Sequence, residues 1–321
     1  MMRLLCSFLA LAAALALAPL LSGIIARVKA KVAGRHGRPY LQLYYDLAKL
    51  IRKSPVYPEP ATWIFTLGPV VSCSASIVAL ALIPARGIPG VISFSGDIFL
   101  LAGMLALSRL ALMMPALETG SAFEGMGTAR EAFFSAMVEP VFLLFLALFA
   151  FQMDSLSLSG IIGGVTVAVW GTQWPFFLLL AIAIYLLMLT ENSRIPVDDP
   201  TTHLELTMIH EVMLLDHSGP ELALYEYASS LKMWAFGLIL AGLVLPLSTE
   251  PLFTGNGDIV SGGMALIGMN FCLTLSCMAG MAVMTGITES FMARLRLERV
   301  PHLVAIAGAL VMFAGLLVWR S

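Results

Sequence analysis

Apolar residues fall into eight long stretches, and the segments between them hold most of the charged residues. Each stretch is about 20 residues long, which is the length an α-helix needs to cross the hydrocarbon core of a bilayer. The stretches lie at about 4–26, 62–84, 98–117, 134–153, 170–190, 229–248, 262–287 and 300–319. The pattern predicts an all-α, polytopic membrane protein in which residues 1–321 form one integral membrane domain.

The composition supports this prediction and excludes other classes. Of the 321 residues, 59% are hydrophobic and 12% are charged, whereas soluble domains have about 25% charged residues. A soluble enzyme, a secreted disulfide scaffold and a nucleic-acid-binding domain are therefore excluded. The four cysteines lie inside apolar runs without metal-ligand spacing, which argues against iron–sulfur ligation; they are Cys6, Cys73, Cys272 and Cys277. Because the sequence also has no Gly-rich phosphate loop after a strand and no haem-ligand pair, we expect this chain to bind no metal or other cofactor.

The basic residues predict the orientation of the chain. Fourteen of the 18 lysines and arginines lie in the first, third, fifth and seventh loops, counting Lys232 with the fifth. Cytoplasmic loops carry such an excess, so both termini are predicted to lie outside. The cytoplasmic loops are then about 27–61, 118–133, 191–228 and 288–299. Arg27 to Arg38 form the basic block expected beside a retained first helix rather than a cleaved signal.

Acidic residues concentrate in the same loops, which the orientation rule does not require. Sixteen of the 20 aspartates and glutamates lie in or next to these loops. Mixed charge on one face favours a docking surface for a soluble partner, and ordinary solvated loops are the alternative. In the first loop, Tyr40, Tyr44, Leu47 and Ile51 recur at helical spacing, which predicts a short interfacial helix. Such a helix could also serve only as a lipid anchor.

The third loop leads into a helix that carries polar residues on one face. Glu131, Ser135 and Glu139 are spaced four apart and therefore share that face. Because Glu139 lies in an apolar run, it is expected to face protein or water and is a candidate for proton relay. The alternative is a structural carboxylate paired with Arg130 or Arg109.

The fifth loop, from Glu191 to Glu226, has the densest polar cluster. Asp199 followed by Pro200 predicts a helix start, and the helix is expected to run to near His217 and to be stopped by Gly219-Pro220. Three histidines recur every seven residues, which is too wide a spacing for one metal ion, so we expect them to be hydrogen-bonded loop residues; they are His203, His210 and His217.

Motifs in these loops resemble the subunit-1 family of respiratory complex I and its energy-converting hydrogenase relatives. The matching pieces are Arg35-His36-Gly37, Leu41-Gln42 with Asp46 and Lys49, Gly127-Thr-Ala-Arg130-Glu131-Ala with Glu139-Pro140, Glu191 followed by Pro196 and Asp198, and Glu205-Leu206. The eight-helix plan matches as well. Arg38-Pro39 departs from the Gly-Pro order that is usual in the family.

Two further segments indicate which group within this family the chain resembles most. Residues 289–297 resemble the C-terminal signature of formate hydrogenlyase and hydrogenase 4 membrane subunits, and residues 198–211 are similar to the same group. Quinone-reducing members of the family usually carry glutamates near the positions of Thr201 and His203. Their absence from these positions argues against quinone reduction. One alternative is the subunit-1 component of a quinone-reducing NADH dehydrogenase (complex I). Another is a free-standing ion transporter, supported by Glu139 and Arg109 inside the membrane.

The resemblance implies a non-catalytic membrane anchor and coupling subunit of a hydrogenase-type oxidoreductase complex in a bacterial or archaeal cytoplasmic membrane. It would link redox chemistry in soluble partners to proton or sodium translocation. The implied partners are hydrogenase-like large and small subunits, an iron–sulfur protein and antiporter-like membrane subunits. These partners would carry the iron–sulfur clusters and the [NiFe] centre. Whether a quinone binds is left open. The chain is expected to contact the lipid bilayer and not to bind nucleic acid.

Three sets of candidate residues follow. The coupling and proton-relay candidates are Glu131, Glu139, Glu191, Glu205 and Asp198. Their candidate charge partners are Arg35, Arg109, Arg130 and Arg194. The candidates for partner docking are Asp46, Lys49, Glu124, Asp199, Glu211, Arg294 and Arg296.

Overall fold

The computed structural model of the chain describes residues 2–198, 209–247, 263–293, 295 and 297–320. This part of the chain is almost entirely helical and contains no β-strand. Its α-helices are α1 (Met2–Val32), α2 (Gln42–Ile51), α3 (Trp63–Leu82), α4 (Asp97–Glu118), α5 (Ala122–Gln152), α6 (Leu158–Gly164), α7 (Val167–Thr172), α8 (Trp174–Glu191), α9 (Gly219–Val244), α10 (Gly263–Phe291) and α11 (Val300–Arg320). Short 3₁₀ helices occupy Glu211–Leu214 and Leu297–Arg299.

Eight helices in the described residues are long and apolar enough to cross a membrane, which confirms the all-α polytopic prediction. They are α1, α3, α4, α5, α8, α9, α10 and the segment Leu297–Trp319, which includes most of α11. Several are longer than the apolar stretches indicated. The 31 residues of α5 span about 46 Å at 1.5 Å per residue, against about 30 Å for a hydrocarbon core. The helix is therefore longer than a perpendicular crossing requires, and its N-terminal turns contain the polar residues of the third loop.

Helix α9 lies at the centre of the helix packing. It contacts α1, α2, α3, α8 and α10, and 78% of its apolar window is buried inside the protein. Helix α3 pairs closely with α4, α8 with α11, and α1 with α10. The shared core includes phenylalanines of α5 and α9, among them Phe142, Phe145, Phe149 and Phe236. The outer helices present their remaining apolar faces to the surroundings.

The connections separate into two ends of the bundle. At one end the loops after α3, α5 and α9 meet: the Leu158 amide donates to Asp97 at 2.7 Å and the Trp170 indole donates to the Leu243 carbonyl at 3.1 Å. At the other end the amide of Val56 donates to the Ser218 hydroxyl at 2.8 Å. At the same end the Asp216 amide donates to Glu124 of the third loop at 3.1 Å. The first, third and fifth loops therefore lie together, as the charge pattern predicts.

The short helix predicted in the first loop is present as α2. It packs against α1 and α9, and the Tyr44 hydroxyl donates to the Ala16 carbonyl in the middle of α1. A side chain at Gly23 would collide with the Tyr40 carbonyl, so this glycine allows the loop to lie close on α1. Tyr45 and Ile51 point outward and are exposed.

The helix predicted to end near His217 is not found in the described part of the fifth loop. Residues 209–218 contain only the 3₁₀ helix Glu211–Leu214, and residues 199–208 lie outside the described residues. Gly219-Pro220 starts α9 instead of stopping a helix. The reason is that proline fixes a helical φ and needs no amide partner in a first turn, and Glu221 adds a favourable charge there.

Candidate functional site

The site is centred on Arg109, an arginine buried in the middle of α4 with 5% of its surface exposed. One guanidinium nitrogen lies 2.6 Å from Oε1 of Glu139 on α5. Another lies 2.8 Å from Oε2 of Glu191, the last residue of α8. The planar fork of arginine suits such a double contact. Arg109 thus joins three membrane helices, and of the two partners considered for Glu139 the structure selects Arg109.

Glu131 and Lys232 complete the group. Glu131 lies two turns before Glu139 on α5, is buried, and is close enough to Glu191, Arg109 and Lys232 to interact with them electrostatically. Lys232 is 5% exposed. We call these five residues the Arg109 cluster. It combines three carboxyl groups with two cations, so a neutral cluster must hold one proton, and a buried group of charges without partners would be strongly unfavourable.

Lys232 is the member of the cluster that the sequence pattern does not predict. The charge count groups Lys232 with the fifth loop, whereas the structure places it inside α9, more than three turns from the start of that helix at Gly219. A signal is nevertheless present, because a single lysine stands within the apolar stretch that begins at 229. A lysine inside a membrane helix requires a partner in the protein interior.

The cluster opens toward one flank of the bundle through Glu139. Its side chain is 47% exposed and faces a groove of about 280 Å³ between α4 and α5, which Arg109 and Glu191 also line together with apolar residues such as Phe99 and Leu143. Small residues of α4, Ala102, Gly103 and Ala106, line the same groove. One carboxylate of the cluster is therefore accessible from the membrane-facing side of this protein.

Asp198 lies beside the cluster, at the start of the fifth loop. It is buried and its Oδ2 accepts hydrogen bonds from the amides of Ile209 at 2.9 Å and His210 at 3.3 Å. These bonds hold together the two described ends of the loop. Burial lowers the pKa of His210 to about 3, with Lys232 and Arg194 contributing, so this histidine is neutral. Glu205 lies outside the described residues.

Arg194 belongs to a different ion-pair group. Its guanidinium lies 3.7 Å from Oε1 of Glu289 on α10, and Lys29 of α1 lies 2.8 Å from Oε2 of the same carboxylate. Glu289 is buried. This residue begins segment 289–297, whose sequence resembles a C-terminal signature, although Glu289 is not among the candidates predicted from the sequence. The arrangement ties the ends of α1 and α10 to the fifth loop.

The docking candidates do not form one uniform exposed set. Glu124 is 1% exposed; it accepts hydrogen bonds from the Thr119 hydroxyl and from the Asp216 amide. The expectation that Glu124 contacts a partner is therefore wrong for the folded protein. Among the remaining docking candidates, Lys49 is exposed, Asp46 and Glu211 are half-buried, and Asp199, Arg294 and Arg296 lie outside the described residues. Of the candidate charge partners, Arg35 is exposed and Arg130 is half-buried.

In the described residues no three histidine, cysteine, aspartate or glutamate side chains are placed to hold a metal ion. The chemistry that the geometry offers is instead ion pairing and proton exchange among buried charges. These features define a multi-pass membrane protein whose helices enclose a charged cluster.

Comparison with known proteins assigns this protein to a family. The NADH dehydrogenase family matches residues 4–319, nearly the full length. The chain belongs to this family, and the resemblance to the subunit-1 family of complex I is confirmed.

Three relatives show the range of similarity. The chain is 29% identical to formate hydrogenlyase subunit 4 of Escherichia coli (strain K12), covering 90% of each chain. It is 28% identical to hydrogenase-4 component C of the same organism, covering 94% of this chain and 91% of the relative. Identity to a subunit of the NADH-quinone oxidoreductase of Frankia casuarinae is 27%, covering 76% of this chain and 56% of the relative.

The fold is shared with a solved archaeal respiratory membrane complex. A chain of the membrane-bound sulfane sulfur reductase matches with a TM-score of 0.77 at 19% identity. The match covers 98% of this chain and 100% of the other. The eight-span architecture therefore recurs in a protein of widely different sequence.

Proposed function

We propose that this chain is the membrane subunit of a hydrogenase-type, complex I-like energy-converting complex, and that its Arg109 cluster couples redox chemistry in soluble partners to ion translocation. The observation that carries the proposal is the double ion pair of Arg109 with Glu139 and Glu191 inside the membrane-spanning bundle. Ionisable residues at such depth are costly and mark proton or ion pathways in membrane proteins.

The position of Glu191 suggests how the cluster responds to a partner. Glu191 ends α8, and the polar fifth loop begins directly after it. A movement of that loop would change the distance between Glu191 and Arg109. A carboxylate that loses a neighbouring cation binds a proton more readily. Moving one charge across 100 mV requires about 2.3 kcal/mol, which corresponds to a shift of less than two pKa units, so a modest rearrangement is sufficient.

The two surfaces of the protein suggest where partners bind. The end that carries the first, third, fifth and seventh loops would bind the hydrogenase-like large and small subunits and the iron–sulfur protein, which would hold the iron–sulfur clusters and the [NiFe] centre. The flank between α4 and α5 would be covered by an antiporter-like membrane subunit, since Glu139 is exposed there and a carboxylate facing lipid is unfavourable. In this proposal the chain itself holds no cofactor.

The hydrogenase-type assignment rests on coverage as well as identity. The two hydrogenase-type relatives are matched over 90% and 91% of their length, whereas the NADH-quinone oxidoreductase relative is matched over 56%. A quinone-reducing complex is the second candidate, and the NADH-quinone oxidoreductase relatives favour it.

Glu139→Gln in the intact complex tests the coupling role. Glutamine keeps the shape and can still accept a hydrogen bond from Arg109, but it cannot carry a proton. In proteoliposomes we expect assembly and electron transfer from an artificial donor to stay within about twofold, while ion translocation falls by about tenfold or more, as for loss of an acid–base group.

The matched control is Glu59→Gln, which removes an exposed carboxylate in the first loop and should leave translocation unchanged. The corresponding change Glu191→Gln tests the other partner of Arg109. Normal translocation in both Glu139→Gln and Glu191→Gln would show that the protein is a passive anchor.

A further inference from the structure

A small cavity lies against the Arg109 cluster on the side of the fifth loop. Its volume is about 10 Å³, and its polar lining includes Arg109, Glu131, Ser135, Thr190 and Glu191. Apolar side chains of α5 and of the fifth loop also line it, among them Phe134, Val138, Val197 and Ile209. The cavity is therefore a small space with polar lining, next to two of the carboxylates that the proposed function uses.

Two polar atoms at this cavity have no hydrogen-bond partner among the described residues. They are the hydroxyl oxygen of Ser135 and Oε1 of Glu191. Oε2 of Glu191 is bound to Arg109, so the orphaned oxygen is the second oxygen of a cluster carboxylate. A buried polar atom without a partner costs about 1–3 kcal/mol. Both atoms therefore require a partner that fits the cavity.

One water molecule meets that requirement. A water site needs about 10–15 Å³ and two to four polar partners, and the cavity offers this volume together with Ser135, Glu191 and Glu131. Ser135 lies one helical turn after Glu131 and on the same face of α5. A water held by the Ser135 hydroxyl would thus stand between the carboxyl groups of Glu131 and Glu191.

We propose that this cavity binds one water molecule through Ser135 and Glu191, and that Ser135 is a positioning residue for proton transfer between Glu131 and Glu191. The inference rests on the proposed coupling function and deepens it. In the step, protonated Glu131 gives its proton to the water, and the water gives one of its own protons to the Glu191 carboxylate. Glu131 is left ionised and the water is restored, so no other reactant is needed.

The test compares Ser135→Thr with Ser135→Val in the intact complex. Both replacements add similar volume, but only threonine keeps the hydroxyl. In proteoliposomes Ser135→Val should lower translocation per electron by about tenfold, as expected for loss of a hydrogen bond to a buried polar network, and Ser135→Thr should restore most of it. Ser135→Ala, which is smaller, should behave like valine and serves if valine prevents assembly.

A spectroscopic readout separates this role from a packing role. Redox-induced infrared difference spectra of the unsubstituted complex should contain a water O–H band that shifts in oxygen-18 water and is absent in Ser135→Ala. Ser276→Val is the control, because Ser276 is an exposed hydroxyl on α10 that donates to its own helix; it should change neither readout.

Three outcomes would overturn the inference: equal translocation in all Ser135 variants, equal loss in the threonine and valine variants, or a spectrum without the isotope-sensitive band. If one of these outcomes is found while Glu139→Gln still lowers translocation, the water site is rejected but the proposed coupling function is retained. Normal translocation in Glu139→Gln and Glu191→Gln rejects the proposed function itself.

Discussion

His217 illustrates how burial controls a single titratable residue outside the membrane spans. Its side chain is fully buried, stacked on the Phe65 ring at 4.0 Å and edge-on to Tyr225 at 4.9 Å. Its Nδ1 lies 3.4 Å from Oε2 of Glu221. The apolar surroundings lower the pKa of His217 to about 4. The imidazole is therefore neutral in the folded protein at physiological pH.

This burial predicts a pH-dependent stability. An unfolded histidine has a pKa of about 6.5, so between pH 6.5 and 4 the unfolded chain binds a proton that the folded chain rejects. The free energy of unfolding should fall with decreasing pH in this window, by up to about 1.4 kcal/mol per pH unit for this one group, and His217 should contribute no slope above it. His217→Gln should reduce the slope, measured as the thermal midpoint in detergent from pH 7 to pH 4.5.

The control replaces His36, which is exposed in the first loop. His36→Gln should keep the slope of the unsubstituted protein. If His217→Gln gave that same slope, the acid sensitivity would arise from other groups, such as half-buried His210.

At the residue scale, the sequence predicts which charges need partners but not all of the partners. The sequence suggests that Glu139 pairs with Arg109, because each residue lies in an apolar stretch and an unpaired charge inside the membrane is costly. Glu124 belongs to the predicted third loop but is buried, and Lys232, counted with the fifth loop, lies just inside the apolar stretch that begins at 229 and is buried as well. Whether such a residue faces solvent or the interior depends on how far the helix extends and how it is rotated, and the hydropathy pattern does not contain this information.

At the scale of helices, close approach between α3, α4 and α9 depends on a glycine. A side chain at Gly68 of α3 would collide with Pro115 of α4 and would lie 2.6 Å from the Tyr225 hydroxyl and 2.7 Å from the Ala111 carbonyl. Tyr225 itself donates to that carbonyl at 2.8 Å. Small residues permit such close packing between membrane helices. The three helices therefore meet at Gly68.

Gly68→Ala is expected to destabilise the protein although alanine is the better helix former. The added methyl group must push apart backbone and a hydrogen-bonded tyrosine, and overpacking of this kind costs about 1–3 kcal/mol. The measurement is the thermal midpoint of the purified protein in detergent.

The matched replacement is Gly280→Ala on α10, where nothing lies within 4 Å of the added carbon. It should leave stability unchanged or raise it by up to about 1 kcal/mol through helix propensity. Equal effects of the two substitutions would mean that the contact at Gly68 does not limit helix packing.

The predicted elements agree with the structure where hydrophobic length decides the outcome. All eight spans and the short helix α2 follow from apolar length or helical spacing. The fifth loop follows from neither. Gly219-Pro220 indicates a helix stop when taken alone, because both residues end helices, yet proline is equally suited to a first turn. The choice depends on the tertiary contacts of α9, which a local pattern does not reveal.

At the scale of the whole molecule, the position of each span in the bundle is related to its composition. Helix α9 has a mean hydropathy of 1.4 over its apolar window and is 78% buried, whereas α1 has a hydropathy of 2.5 and is 28% buried. The most apolar helix thus faces the surroundings, and a less apolar one occupies the centre. This order is expected in a bilayer, because only an interior helix can place polar side chains such as Lys232 against protein partners.

The arrangement of the loops yields a final prediction about orientation. Ser54 and Ser93 are both exposed, and they lie at opposite ends of the bundle, the first beside the start of α9 and the second beside the loop after α5. Fourteen of 18 basic residues belong to the loops at the Ser54 end, counting Lys232, and the sequence places them in the cytoplasm. In a cysteine-free background, Ser93→Cys in intact cells should react with a membrane-impermeant thiol reagent, and Ser54→Cys only after the membrane is opened. The reverse pattern would place the Arg35 and Lys49 face outside, away from any cytoplasmic redox partner, and would contradict the docking proposal together with the orientation.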